Sequence, residues 1–368
     1  MGKYKIVAII GTRPEAIKMA PIISLFKKDK NIQLITISTG QHKELLKPIF
    51  KLFKIKPDIE LDIMKENQSL VDIQNNVLTK TYKELSEIRP DLLLVQGDTS
   101  TVLASSLAAF YLKIPIGHVE AGLRTNDIYD PFPEEMNRLL VSGLATLHFC
   151  PTKLSKDNLG KENIKKNTFI TGNTVIDSLL ILSKTIKNKP SGLTKNILLT
   201  CHRRENFGKS IEEIFDTILE IAKERKDVNF IYPVHPNPNV KNLAKEKLSN
   251  VENIKLIEPL DYLDFVKAMK DSYIILTDSG GVQEEAPALG KPVLILRENT
   301  ERPEAVSCGV AKIVGHNKNK IKKEIYKLLD NKEYYKSVAK GVSPYGDGKA
   351  SQKIKKIVIN FLDSKKQK

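Results

Sequence analysis

The chain has 368 residues, 41% hydrophobic and 28% charged, with a formal net charge of +15. That length exceeds one ordinary core and predicts a soluble protein of two domains; the longest apolar runs, such as "LLLV" (92–95) and "PVLIL" (292–296), fall far short of the ~20 residues that span a bilayer. Cys150, Cys201 and Cys308 are scattered and odd in number, without a C-x-x-C pair, which argues against a disulfide framework or a zinc site.

The first run, "YKIVAII", reads as a β-strand. Its apolar part is too short for a signal peptide and no small-residue cleavage site follows, so the expected compartment is the cytoplasm. It leads into "GTRPEAIKMAP" (11–21). Gly11 permits a tight turn, Pro14 stands near the start of a helix, and amides there, with Arg13 and Lys18, suit a pyrophosphate; ordinary capping is the bland alternative. After "IQLITIST", the strand "DLLLVQG" ends at Asp98, either an acid–base group or merely the N-cap of the helix "TVLASSLAAFYL". "IPIGHVEAGLRT" places His118, Glu120 and Arg124 at the next strand end, where an unpaired charge is expensive. "PFPEEMNRLL" adds Glu134, Glu135 and Arg138, and Glu134 with Arg138 has the i, i+4 spacing of a helical salt bridge. Asp98, Glu120 and Glu134 therefore come from neighbouring loops, and such a cluster suits proton transfer.

The strands "LHFCP" and "TFIT" and the helix-like "TVIDSLLILSKTI" close the first half, and the polar "KNKPSGLTKN" (187–196) reads as a linker. The second half continues with "NILLT", followed by His202, Arg203 and Arg204, an anion-binding pattern, and with "VNFIYPVH", which carries His235 into a Pro-rich turn. After "IKLIEPL", "SYIILTD" runs into Ser279-Gly280-Gly281. Backbone amides at that helix start hold phosphate, and the missing Cβ atoms allow close approach. Glu285, deeper in the helix, suits a ribose hydroxyl pair. No Walker-type Lys-Ser/Thr and no G-x-G-x-x-G follows a strand, which disfavours ATP hydrolysis and NAD binding. "PVLIL", "ENTERPEAV" with Arg302, and "AKIVG" complete the series; Arg302 is either part of a local ion-pair network or a ligand contact.

Strands alternating with helices predict an α/β protein of two Rossmann-like doubly wound domains facing a cleft, with the chemistry in the loops after the strands. The basic residues divide in the same way. Fifty are Lys, in runs such as "KKDK" without interleaved aromatics, which reads as solvated surface. Nine are Arg, and Arg13, Arg124, Arg138, Arg203, Arg204 and Arg302 fall in these loops, where a planar fork recognises phosphate or carboxylate. A nucleic-acid binder would instead show steep salt-dependent binding.

Taken in order, "GTRPEAIK", "TGQH", "QGDTSTVLA", "HVEAGLRT", "PEEMNR", "TGNTVID", "HRREN", "PVHPN", "SGGVQEEAPALGKP" and "ENTERPEAV" closely resemble the non-hydrolysing UDP-N-acetylglucosamine 2-epimerases over nearly the whole chain. The resemblance implies GT-B type architecture. An N-terminal domain of residues 1–172 would carry the catalytic carboxylates, with the final helix 350–368 packed back on it, and residues 173–349 would bind UDP. It also implies a homodimer, UDP-GlcNAc and UDP-ManNAc as ligands, no added nicotinamide, and no metal. By position, Asp98, Glu120, Glu134, Arg138 and His202 would serve catalysis; Arg13, Lys18, Phe265, Ser279, Gly280, Gly281, Glu285 and Arg302 would bind substrate. Gln41, His42, Arg203 and His235 would match the regulatory UDP-GlcNAc site of some members. Leu260 departs from the Gln frequent in relatives. The nearest rivals are a GT-B glycosyltransferase and a hydrolysing relative; three carboxylates favour the epimerase, because transfer needs only one base.

Overall fold

Near-continuous apolar, β-branched runs form parallel strands buried on both faces, because helices cover each side of the sheets they build. The structure, a computed structural model, describes residues 4–64, 68–187, 194–203, 206 and 208–367. The chain divides into two units: one runs to Ser178 and resumes at Tyr345, and the other spans Leu179–Pro344. The division falls inside the helix Thr174–Thr185. Most of the Pro/Gly segment 187–196 and Arg204 lie outside the described residues.

In unit 1 the strands are β1 (Tyr4–Ile10), β2 (Ile32–Ser38), β3 (Ile59–Glu60), β4 (Leu92–Gln96), β5 (Ile116–Val119), β6 (Leu147–Cys150) and β7 (Thr168–Ile170). They form one parallel sheet ordered β3-β2-β1-β4-β5-β6-β7. Unit 2 repeats the scheme with β8 (Lys195–Thr200), β9 (Val228–Pro233), β10 (Ile254–Ile257), β11 (Ile274–Thr277), β12 (Val293–Ile295) and β13 (Ala311–Ile313), ordered β10-β9-β8-β11-β12-β13. Both units are doubly wound α/β folds. The sequence reading missed β3, a two-residue edge strand with no apolar run to mark it.

Each sheet reverses direction once: between β1 and β4 in unit 1, and between β8 and β11 in unit 2. At such a switch point the two following loops diverge to opposite faces and leave a crevice beyond the carboxyl ends of the strands. In unit 1 those loops carry Gly11–Lys18 and Asp98; in unit 2 they carry His202–Arg203 and Asp278–Gly281.

The last helix, Ala350–Lys366, belongs to unit 1. It buries Ile354, Val358 and Leu362, each worth roughly 1.5–3 kcal/mol. Asp177 anchors its start, accepting from the amides of Ala350 (3.1 Å) and Ser351 (2.9 Å) and from the Ser351 hydroxyl (2.6 Å). A carboxylate suits the positive end of the helix dipole. Lys355 pairs with Asp29 (2.6 Å), and the Tyr4 hydroxyl bonds Asp363.

Candidate functional site

In unit 1 the loop after β1 turns at Gly11 for a packing reason. A Cβ there would stand 2.2 Å from the Thr101 hydroxyl, so close approach, rather than a special backbone angle, demands glycine. The helix Arg13–Lys27 follows, with Arg13 exposed in its first turn and Lys18 one turn on, facing the sheet. Lys18 Nζ donates to Glu120 (2.7 Å), and Gln96 Nε2 donates to the other oxygen of the same carboxylate (2.6 Å). Glu120 follows β5 directly, is 8% exposed, and adopts φ +66. A non-glycine residue in that left-handed region costs about 1–2 kcal/mol, and such strain concentrates at functional positions.

Asp98 does not cap the following helix, as its position suggested. The N-cap of Ser100–Tyr111 is Thr99, whose hydroxyl accepts from the Val102 amide (3.4 Å). The Asp98 carboxylate instead accepts from Arg138 Nε (2.8 Å), and its carbonyl from Asn137 Nδ2 (2.8 Å). Nor does Arg138 pair with Glu134. Its Nη1 bonds Glu135 (2.8 Å), which is 1% exposed and also accepts the amides of Thr125 (2.9 Å) and Asn126 (3.2 Å). Three residues separate Glu135 from Arg138, as near on a helix as four, and the buried member forms the pair. Glu134, half-buried, is left one turn ahead of Arg138 on the same side of the helix. Burial and the Asp98 and Glu135 carboxylates act on the Arg138 guanidinium, with the net effect of holding its proton more firmly. Beneath these groups His118 Nε2 donates to the Gly97 carbonyl (2.7 Å), and burial pushes His118 down to about 4, so the ring is neutral near pH 7. Arg124, grouped with the ligand-facing arginines on sequence, grips Glu162 bidentately (2.6 and 2.8 Å) with only 3% of its side chain exposed; it recognises a carboxylate of its own fold.

In unit 2 the helix Gly280–Ala288 starts directly behind Ser279. The Ser279 amide is taken by the Thr277 hydroxyl (2.9 Å), so Gly280 and Gly281 rather than Ser279 are the cradle's first donors. As the first two helical positions they have no helical carbonyl to bond. Among the described residues beyond its own turn, a Cβ on Gly280 would meet nothing closer than 3.6 Å, and on Gly281 nothing closer than 3.9 Å. The described protein atoms leave room for a side chain here, so packing within the fold is not what calls for glycine.

Asp278, fully buried, orders the neighbouring loop. One of its oxygens accepts from the amides of His202 and Arg203 (2.7 Å each) and from Asn206 Nδ2 (3.0 Å). His202 Nδ1 stands 3.5 Å from the other oxygen and its ring stacks on His235 at 5.3 Å. Burial outweighs the Asp278 charge and keeps the His202 ring below its usual pKa. Arg203 Nη2 lies 3.4 Å from Glu301, beside Gly280. Of the two acids in "QEE", Glu284 pairs with Arg302, and Glu285 accepts from the Tyr262 hydroxyl (2.8 Å). Phe265 is half-buried three residues after Tyr262, on the same face of the helix Tyr262–Asp271.

The expected regulatory residues sit in the same loop layers. The Gln41 side chain accepts from the Thr101 hydroxyl (2.7 Å), and the His42 amide donates to the Gly11 carbonyl (3.0 Å); burial, with Arg13 nearby, lowers the His42 pKa. His235 Nδ1 accepts from the Asn237 amide (3.2 Å). Among the described residues no cluster of metal-ligating side chains occurs, and no helix is long and apolar enough to cross a membrane.

Sequence reasoning missed Glu15, Gln96, Asp278, Asn206 and Tyr262. A signal existed for two of them. Thr12-x-x-Glu15 has capping-box spacing, and Asp278 ends a buried strand immediately before the glycines. Gln96, Asn206 and Tyr262 each bond a partner distant in the chain, Glu120, Asp278 and Glu285.

The family model of UDP-N-acetylglucosamine 2-epimerases matches residues 25–359. A UDP-N-acetylglucosamine 2-epimerase of Escherichia coli K12 is 47% identical over 370 residues, covering 97% of this chain and 98% of its own; one of Neisseria meningitidis is 48% identical over 371, covering 97% and 99%. The Neisseria enzyme solved with UDP-GlcNAc superposes with a TM-score of 0.88 at 47% identity, over 97% of this chain and all of that one. The Methanocaldococcus jannaschii enzyme in complex with UDP-GlcNAc and UDP gives 0.78 at 38%, over 97% and 99%.

Proposed function

The chain belongs to the UDP-N-acetylglucosamine 2-epimerase family, and from that premise we propose that it reversibly inverts C2 of UDP-N-acetylglucosamine to give UDP-N-acetylmannosamine, by elimination of UDP and re-addition through 2-acetamidoglucal. The C2 proton has no neighbouring carbonyl to acidify it, so simple removal and return is very slow. Elimination supplies a route. A carboxylate takes the C2 proton, the electron pair of that bond forms the C1=C2 double bond, and the C1–O bond breaks to release UDP. In the return step an acid protonates C2 on the other face and UDP oxygen re-forms the bond to C1.

The observation that carries this reading is the switch-point crevice of unit 1, where Asp98 and Glu120, on adjacent strand ends, are each already paired with a cation. These two with Glu134 supply base and acid. Lys18 and Arg13 stand at the helix start beside them, suited to the charge that grows on the departing diphosphate. In unit 2 the amides of Gly280 and Gly281 and the His202 loop suit the phosphates, Glu285 the ribose hydroxyls and Phe265 the uracil ring. Arg302, paired with Glu284, adds a cation suited to the same ligand.

Purified protein incubated with UDP-N-acetylglucosamine alone and followed by proton NMR is expected to yield a mixture of the two nucleotide sugars, with deuterium at C2 when the solvent is D₂O. Free N-acetylmannosamine and UDP would assign it to the hydrolysing class, and product without label would exclude exchange of the C2 proton with solvent.

A further inference from the structure

Glu15 is 2% exposed and its carboxylate accepts three hydrogen bonds. One oxygen takes the Gly11 amide (2.7 Å); the other takes the hydroxyls of Thr12 (2.8 Å) and Thr99 (2.8 Å). The Gly11 amide can only donate and both hydroxyls are turned to donate, which suits an ionised carboxylate. A purely local role would resemble a capping box, in which the acid bonds the N-cap amide and the N-cap hydroxyl bonds the acid's amide. Neither bond forms. The Thr12 side chain makes no cap bond, and Glu15 reaches past Thr12 to Gly11 and across to the loop after β4, 84 residues away in the chain.

That loop is Gly97-Asp98-Thr99. Its first member has its carbonyl held by His118 (2.7 Å) and its amide by the Val119 carbonyl (3.0 Å), at φ +84. The Asp98 carbonyl is held by Asn137. Thr99 gives its hydroxyl proton to Glu15 while accepting from the Val102 amide, so Glu15 sets the rotamer of the residue that starts the next helix. Asp98 can release Arg138 without losing its place, because the backbone on both sides of it is tied independently.

We propose that Glu15 is a positioning residue for the proton transfer at C2, fixing the β4 loop through Thr99 so that the Asp98 carboxylate stays in place while its partners change. This rests on the epimerase reading above. Buried as it is, the group acts through Thr99 and not on the substrate itself. Burial pushes its carboxyl up to about 7, against the three donors that favour the ionised form, so the charge those bonds call for is held fully only above neutral pH.

The test measures epimerisation and UDP affinity side by side in Glu15→Gln, Thr99→Val and Thr99→Ser. Gln keeps the shape but replaces one acceptor oxygen with an N–H group, so either the Gly11 amide loses its acceptor or both hydroxyls must turn round and Thr99 loses its present rotamer. Glu15→Gln is expected to lower kcat about tenfold or more, because small misplacement of a catalytic group is costly, with KM within about threefold and the UDP Kd within about twofold. Thr99→Val is expected to lose roughly three- to tenfold in kcat and Thr99→Ser to recover most of it. Glu15→Gln with more than half the wild-type kcat, a Thr99→Ser as slow as Thr99→Val, or losses that track UDP affinity would overturn the proposal. Should Glu15→Gln fail to fold, the Thr99 pair decides. Wild-type protein that leaves UDP-N-acetylglucosamine unchanged would defeat the functional reading and this assignment with it, whereas an active wild type with unaffected variants defeats the assignment alone.

Discussion

Units 1 and 2 share one topology and place their unusual residues at the same point of it, yet they fill that point differently. Unit 1 fills it with side-chain charge: Asp98 with Arg138, Glu120 with Lys18, and Glu15 ringed by donors. Unit 2 fills it with backbone amides on Gly280 and Gly281, and keeps its acids, Asp278 and Glu284, as buried anchors for the loops around them. The difference follows from the task each set suits. A group that gives and takes a proton needs a protonation state its neighbours can tune, which amides lack. A group that only holds an anion does well to be a fixed dipole that carries no charge to desolvate.

The comparison breaks most visibly through the carboxylates. Asp98→Asn, Glu120→Gln and Glu134→Gln are each expected to lower kcat roughly 100-fold or more, the scale of one acid–base group, with UDP affinity held nearly constant. Near-wild-type turnover in all three would refute their assignment. The converse set is Gly280→Ala and Gly281→Ala. The added methyl fits the protein but stands where the proposed function brings a phosphate, so UDP binding by calorimetry is expected to weaken about tenfold or more while the fold survives, the worth of a hydrogen bond to a charged group.

A third test uses pH. His118 and His148, both buried and lowered from 6.5 to about 4, stay neutral in the folded chain, so the unfolded chain binds more protons as pH falls from 6.5 toward 4 and stability is lost in that window. Glu15, raised from 4.5 to about 7, acts in the opposite sense: its folded form keeps a proton that the unfolded form releases, so its contribution is present at pH 4.5 and lost as pH rises to 7. Two imidazoles against one carboxyl leave a net loss on the order of 1–2 kcal/mol between pH 7 and pH 5. Urea unfolding at the two pH values checks this, and His148→Gln is expected to remove much of the acid sensitivity. The smallest effect is expected from Tyr262→Phe, which deletes the bond to Glu285 and should weaken UDP binding roughly fivefold, about 1 kcal/mol. If Glu285 reads the ribose, 2′-deoxy-UDP should lose less affinity in this variant than UDP does.

The parts of the fold and site legible in the sequence share one property: their signal is local. Apolar strands such as "LLLVQ" and "IILT" announce buried parallel strands, and the residue just past each one is at a strand end whatever else happens. Asp98, Glu120 and Ser279-Gly280-Gly281 lie just past strand ends on that logic. Where a local rule was stretched to name a partner, it failed. Arg138 stands four residues from Glu134 but bonds Glu135 and Asp98, because those two acids are the ones the packing presents to it. Arg124 stands among ligand-facing arginines in the sequence, but Glu162 lies against it in the fold.

Alone, the order of residues determined two doubly wound α/β units, the alternation of strand and helix, and the loops in which polar groups gather, since periodicity and turn chemistry act over a few positions. The tertiary structure decided which acid meets which base, that Asp278 and Glu15 hold loops from beneath, and that Gly11 yields to Thr101. Those outcomes depend on neighbours brought together from distant parts of the chain, and a buried charge or an extra methyl is judged by the atoms it finally touches.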